Sequence, residues 1–262
     1  MLSRVNPGDI TIRHQWTGHP VRLHSFKHKG YWYHGANRER DTMIAFAQLI
    51  KPGDVVIEVG AHIGYIAMWL ARLVGPTGQL IACEPGSNNL PYLRKNLSPF
   101  DQTSIREVAL AENSGELPFM EEDFTGQNNS LLTDGEQLKG NLEHVRMHTQ
   151  THIRTVQALT LDDIVHDLPL APSLVKIDVE GGELGVILGA AKTLASDRPA
   201  IVIEVAFNHD DVEKVLLDAG YVVLDSSLQP IGHMRDRALY NYVCLHRDKH
   251  ADLLTNLGVG AP

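Results

Sequence analysis

Two clusters in this chain combine residue types and spacings that suit chemistry. The first is Glu58-Val-Gly60-Ala-His62-Ile-Gly64, which closes an apolar run and opens a helical one. Gly60 permits a tight turn, and Gly64 permits close approach of backbone to a ligand. Twenty positions beyond Gly64 (84 − 64 = 20), Glu84 ends the next apolar run. A carboxylate there can accept both hydroxyls of a ribose, so the pair of features points to a nucleoside-containing cofactor. A dinucleotide pyrophosphate wants three glycines as G-x-G-x-x-G. Here the middle position is His62, and Glu58 stands two residues before the first glycine. A negative charge at that place opposes a pyrophosphate and suits a cation such as the sulfonium and ammonium of S-adenosylmethionine.

The second cluster is acidic. Asp178, Glu180 and Glu183 follow the apolar run Leu174-Val-Lys-Ile, and Glu204 ends the run Ala200-Ile-Val-Ile. In a parallel sheet the carboxyl ends of two such strands lie side by side, so Asp178 and Glu204 can converge. An alcohol attacking a methyl group must be positioned and must lose its proton, to a carboxylate or a histidine within hydrogen-bond reach. A divalent metal is another way to lower the hydroxyl's pKa, but none is expected here. Glu180 and Glu183 also suit the start of the following helix, where negative charge is favoured. Asp178 reads as functional, because an acid leaving an apolar strand is costly unless used. His209, after the last of these strands, is placed to touch a substrate or to sit in a surface loop. His144, His148 and His152 recur every four residues on one face. Without a nearby Cys or an H-E-x-x-H pattern, that face reads as solvated polar surface rather than a zinc site.

These residues need a scaffold. Val55–Val59, Leu80–Cys83, Ile105–Leu110, Leu174–Asp178 and Ala200–Glu204 read as strands. Helical runs at 63–74, 89–97, 182–194 and 211–219 alternate with them, which argues for βαβ units and a parallel sheet. Tyr221–Leu224 and Tyr240–Leu245 have no helix between them and should pair antiparallel. Residues 1 to about 40 read as strands or a hairpin rather than helix, including Tyr31-Trp-Tyr33; that aromatic group packs on the sheet or lines an acceptor site. Asp41 reads as a helix cap. Residues 112–158 are polar and glycine-containing, and read as an insertion of hairpins or a lid that orders over a ligand.

With 32 acidic and 23 basic side chains among 262 residues, the net charge is −9. That balance, with no basic cluster, disfavours nucleic acid and anionic membranes. Both cysteines sit in apolar runs, as buried reduced thiols would. No secretory leader or membrane span is legible, so a soluble, cytoplasmic location is expected.

The sequence resembles the FkbM family of S-adenosylmethionine-dependent methyltransferases over about residues 52–207. The resemblance rests on Asp54-Val-Val-Ile-Glu-Val-Gly-Ala-His-Ile-Gly-Tyr65, Cys83-Glu-Pro85, Val108-Ala-Leu110, Asn129-Ser130, Leu159-Thr-Leu-Asp-Asp163, Lys176-Ile-Asp-Val-Glu-Gly-Gly-Glu183 and Ile203-Glu204. His62 stands where the family usually has Asn; both tolerate unusual backbone angles. The resemblance implies a class I methyltransferase fold: a doubly wound, Rossmann-like α/β sheet, mostly parallel, with an antiparallel C-terminal edge strand. An N-terminal β extension (1–40), the β-rich insertion and a tail (251–262) would flank a domain over 41–250. It implies a cofactor pocket of Glu58, Gly60, His62 and Gly64 around the methionine moiety, Glu84 on the ribose, Ala109 and Leu110 near adenine, and Asn129 and Ser130 close by. Asp178 would face the reactive end, with Glu204 and His209 as further catalytic candidates. The expected acceptor is a small molecule, a hydroxyl of a sugar or secondary metabolite in natural-product biosynthesis. Homo-oligomerisation is left open. The alternatives are an NAD-type oxidoreductase, disfavoured by Glu58 and the missing third glycine, and a nucleoside-cofactor-binding protein without catalysis.

Overall fold

The run Val55–Val59 (VVIEV) is buried at all five positions, as a strand must be when helices cover both faces of its sheet. A computed structural model describes residues 7–123, 125–131, 150–205, 207–236 and 241–259. Along the chain, a hairpin of β1 (Asp9–Arg13) and β2 (Pro20–His24) comes first, followed by α1 (Lys29–Tyr33) and α2 (Arg40–Leu49). Next come β3 (Val55–Val59), α3 (Tyr65–Val74), β4 (Gln79–Cys83), α4 (Leu90–Leu97), β5 (Thr103–Arg106) and β6 (Ala109–Leu110). Beyond these lie β7 (Gly115–Glu122), β8 (Thr151–Leu159), α5 (Leu161–His166), β9 (Leu174–Ile177), α6 (Glu183–Leu188) and α7 (Ala191–Ser196). The chain closes with β10 (Ala200–Ile203), α8 (His209–Asp218), β11 (Tyr221–Asp225), β12 (Tyr242–His246) and α9 (Ala251–Asn256).

Seven strands form the central sheet in the order β11-β12-β10-β9-β3-β4-β5. The pairs β10–β9, β9–β3, β3–β4 and β4–β5 are parallel, while β12 is antiparallel to both its neighbours. This is the doubly wound α/β arrangement expected, with one correction. The antiparallel strand is not the edge: β12 inserts between β10 and β11, which makes β11 the edge. Burial explains the choice, since all five residues of β12 are buried whereas β11 leaves two half-exposed.

Alternate strand residues serve opposite cores. Val56, Leu80, Val202 and Val243 pack with β2, α2, α3 and α4, and Val55, Ile57, Ile177 and Ile203 pack with α5 to α8. A separate three-stranded sheet, β6-β8-β7, has its own small core of Ala109, Phe119, Val156 and Ala158. The run 105–110 is therefore two strands in two sheets, not one. The helix expected over 182–194 is likewise two short helices, separated at Gly189 and Ala190. There a Cβ on Gly189 would meet the Ala111 carbonyl oxygen at 2.3 Å. Residues 251–256 of the expected tail are helical.

Two readings near the N-terminus need correction. Tyr31-Trp-Tyr33 lies in a short helix rather than a strand; Tyr31 is buried and Tyr33 is 74% exposed. Asp41 is in the first turn of α2, and the capping position belongs to Glu39, which takes a left-handed φ of 51°. No helix among the described residues is long and apolar enough to cross a membrane. Both cysteines, Cys83 and Cys244, are free and buried.

Candidate active site

Strand register assembles the site. The last regular pairs across the sheet are Val59 with Cys83, Val59 with Ile177, Ile203 with Ile177, Ile203 with Tyr242, and Asp225 with Tyr242. One rung further on, Glu84, Gly60, Asp178, Glu204, Asn241 and Ser226 stand in a row across six strands, about 4.8 Å from one to the next. All six line one cavity of about 760 Å³. Tyr31, His34, Arg38 and Glu39 from the N-terminal segment line it too, as do Gly126, Gln127 and Asn129.

Gly60 has φ 86°, and a Cβ there would sit 1.8 Å from the Asp178 carbonyl oxygen. The glycine is thus required by backbone crossing backbone. His62 follows at φ 49°. Its amide donates to Glu84 Oε2 at 2.7 Å, its Nε2 faces the Thr125 carbonyl at 3.1 Å, and its Nδ1 lies 2.8 Å from the Tyr31 hydroxyl. A carbonyl only accepts, so Nε2 carries the proton and Nδ1 accepts from Tyr31. Burial pushes the ring down to about 4, so it is neutral at pH 7. One side chain therefore ties the N-terminal segment, the 125–131 segment and the Glu84 turn together.

Glu84 is buried and accepts from the Gly86 amide at 2.8 Å and Asn89 Nδ2 at 3.1 Å, besides His62. With Oε1 taken twice and Oε2 once, the carboxylate keeps room for a further donor on Oε2. Glu58, 1% exposed, sits 3.9 Å from Lys176 Nζ, and its Oε2 is buried without a partner among the described residues. Burial, with the carboxylates of Asp178, Glu39 and Glu84, pushes Glu58 up to about 8 in spite of Lys176. An orphaned carboxylate oxygen beside a cavity fits a cationic or hydrogen-donating ligand. The residues present thus suit the ammonium and ribose of S-adenosylmethionine.

The acidic end is built around Lys176, 2% exposed, which donates to Asp178 Oδ2 at 2.8 Å. Burial works against its charge, but Asp178, Glu58 and Glu39 outweigh burial and hold the ammonium above its ordinary value. Glu204 is pushed up to about 9 by burial and by the Asp178 and Glu180 carboxylates. Facing them, the Arg38 guanidinium lies 4.3 Å from the centre of the Tyr31 ring and 3.3 Å from Glu39.

Of the residues expected from sequence, Glu58, Gly60, His62, Glu84, Ala109, Leu110, Asn129, Asp178 and Glu204 line the cavity. Gly64, Ser130 and His209 do not. Gly64 caps α3, where a Cβ would strike Leu93 Cδ1 at 2.8 Å, so it serves helix packing against α4. Ser130 bridges to Met120 and donates its hydroxyl to the Glu180 carbonyl at 2.8 Å. His209 opens α8 after the left-handed Asn208, its ring edge-on to Tyr242. His152 lies 3.8 Å from Glu121 and 3.7 Å from Asp123, while His144 and His148 lie outside the described residues. Among the described residues no group of three metal-ligating side chains converges.

Sequence reasoning missed Arg38, Glu39, Lys176, Ser226 and Asn241. A lone lysine inside a buried strand was a readable signal. Arg38 and Glu39 fell in the segment read as strands or a hairpin and were given no role, and Asn241 becomes visible only once β12 is placed.

A family model described as the methyltransferase FkbM domain matches residues 58–223. The 2-O-methyltransferase NoeI of Sinorhizobium fredii is 28% identical over 158 residues, covering 57% of this chain and 63% of that protein. A protein-L-isoaspartate O-methyltransferase of Aeropyrum pernix is 37% identical over 68 residues, 26% of each chain. The crystal structure of a methyltransferase FkbM from Methylobacillus flagellatus superposes with a TM-score of 0.49 at 14% identity. That superposition covers 82% of this chain and 60% of the other. The chain thus spans less than two thirds of NoeI and of that FkbM structure.

Proposed function

This chain belongs to the FkbM methyltransferase family, and from that premise we propose that it moves a methyl group from S-adenosylmethionine to a hydroxyl oxygen of a sugar or secondary metabolite. The observation that carries the reading is the single rung of side chains with the orphaned Glu58 oxygen beside it. Bound S-adenosylmethionine supplies an electrophilic methyl on a sulfonium. The chain's part is to bind, orient and take a proton. Glu58 and the Gly60 turn receive the methionine end, Glu84 Oε2 takes a ribose hydroxyl, and Ala109 and Leu110 flank the adenine. Asp178 adjoins Gly60 on the rung, so an acceptor hydroxyl held there lies beside the methionine end. Lys176 holds the Asp178 carboxylate through Oδ2, which leaves Oδ1 to take the acceptor proton. Positioning and proton removal are the two contributions such a transfer needs. The N-terminal residues Tyr31, Arg38 and Glu39 form the acceptor-side wall.

Calorimetric titration with S-adenosylmethionine and with NAD tests the cofactor. One S-adenosylmethionine should bind per chain, Glu58→Gln should bind it about tenfold more weakly, and NAD should not bind. Transfer of labelled methyl into a panel of neutral sugars tests the acceptor. NAD binding, or S-adenosylmethionine binding with no transfer into any hydroxyl compound, would overturn the respective half of the reading.

A further inference from the structure

The rung continues past the two acids. Asn241 stands opposite Glu204 on one side and Ser226 on the other, by the register of β12 with β10 and β11. It is 3% exposed and lines the cavity, and its Oδ1 is buried without a hydrogen-bond partner among the described residues. Buried polar atoms are ordinarily paired, so an unpaired amide oxygen at a cavity wall calls for a donor from a ligand. Asn241 and Ser226 also lie outside the stretch matched by the family model, which ends at residue 223.

From this juxtaposition we infer that Asn241, with Ser226 beside it, is a second acceptor-binding point that takes a hydroxyl of the substrate distant from the one that is methylated. The inference rests on the methyltransferase reading above and adds the acceptor's shape. Asn241 lies two strand spacings from Asp178, about 10 Å. Neighbouring hydroxyls on one sugar ring are much closer together than that, whereas hydroxyls on successive rings of an oligosaccharide reach it. The acceptor is therefore a saccharide of two or more rings.

The experiment compares wild type with Asn241→Leu, which removes the accepting oxygen, and Asn241→Asp, which keeps one. Methyl transfer is measured on neutral mono- and disaccharides, with S-adenosylmethionine affinity by calorimetry as the control. Wild type should favour disaccharides. Asn241→Leu should raise the disaccharide KM about tenfold, with most of the loss in KM rather than kcat, and leave cofactor affinity within twofold. Asn241→Asp should restore KM to within a few-fold. If Asn241→Leu does not fold, Asn241→Ser carries the same comparison. An unchanged disaccharide KM, a wild-type preference for monosaccharides, or equal losses of cofactor affinity would overturn the inference while leaving the methyltransferase reading intact. Absence of transfer into every saccharide would overturn the sugar reading and this one together.

Discussion

Asp178 and Glu204 look interchangeable in the sequence, two acids ending neighbouring strands, yet their surroundings separate them. Asp178 holds the Lys176 ammonium, whereas Glu204 is pushed up to about 9 and is a neutral, hydrogen-donating acid at pH 7. Asp178→Asn should lower kcat at pH 7 by roughly 10²–10⁴-fold, the range for losing a general base. Glu204→Gln, which imitates the neutral acid, should stay within about tenfold of wild type. Equal losses in the two variants would make Glu204 the base instead. The difference was invisible in sequence because it arises from burial and from charges brought in by other strands. What was legible was local: the Gly60 turn, and Glu84 and Asp178 as strand-end acids, all of which line the cavity. Even there the physical reason differed in part, since Gly60 is required by the Asp178 carbonyl pressing on it.

At the scale of elements, alternation between apolar strands and helices carried the central sheet, because it depends on short-range periodicity. Strand order and the split of 105–110 into two sheets depend on long-range pairing and were not readable. The 125–131 segment shows the same limit. Its polar, glycine-containing composition suggested a lid, and what composition does not show is the set of hydrogen bonds that ties it to β7 and the Asn89 turn. The buried Glu122 carboxylate accepts from the Thr125 amide at 2.9 Å and the Gly126 amide at 2.6 Å, while Asn129 Oδ1 accepts from the Glu122 amide at 2.9 Å. Asn89 Nδ2 further donates to the Gly126 carbonyl at 3.1 Å. Glu122→Ala should therefore accelerate amide hydrogen exchange across 125–131 and weaken S-adenosylmethionine binding by about 1–3 kcal/mol, the cost of stranding buried donors. Exchange rates equal to wild type would show that the carboxylate is not what holds the segment.

At the scale of the molecule, the site taxes the fold in a pH-dependent way. In the unfolded chain Glu58 ionises near its ordinary value of 4.5, and in the fold it stays neutral up to about 8. A raised carboxyl pKa means that the unfolded state gives up its proton first, so stability falls as pH rises between those two values. Glu58→Gln imitates the neutral form. It should match wild type in thermal unfolding near pH 5 and exceed it increasingly towards pH 8, at about 1.4 kcal/mol per pH unit at most. Each run is made without cofactor. A gap that stays constant with pH would mean that Glu58 is ionised in the fold. Histidines act in the opposite direction: burial lowers His14 and His250 to about 4 and His28 to about 3, so each costs stability as pH falls below 6.5.

The position of β12 has a consequence for the order in which this chain is made. Residues 200–203 and 221–225 leave the ribosome well before 242–246, yet in the sheet they are separated by that later strand. Until it arrives, β10 and β11 each present an open edge of unpaired amides and carbonyls, the kind that recruits other chains. Asn241, at the head of that strand, arrives with it. Synthesis therefore completes the sheet and the Asn241 end of the cavity in the same step, and a nascent chain halted before residue 242 has neither.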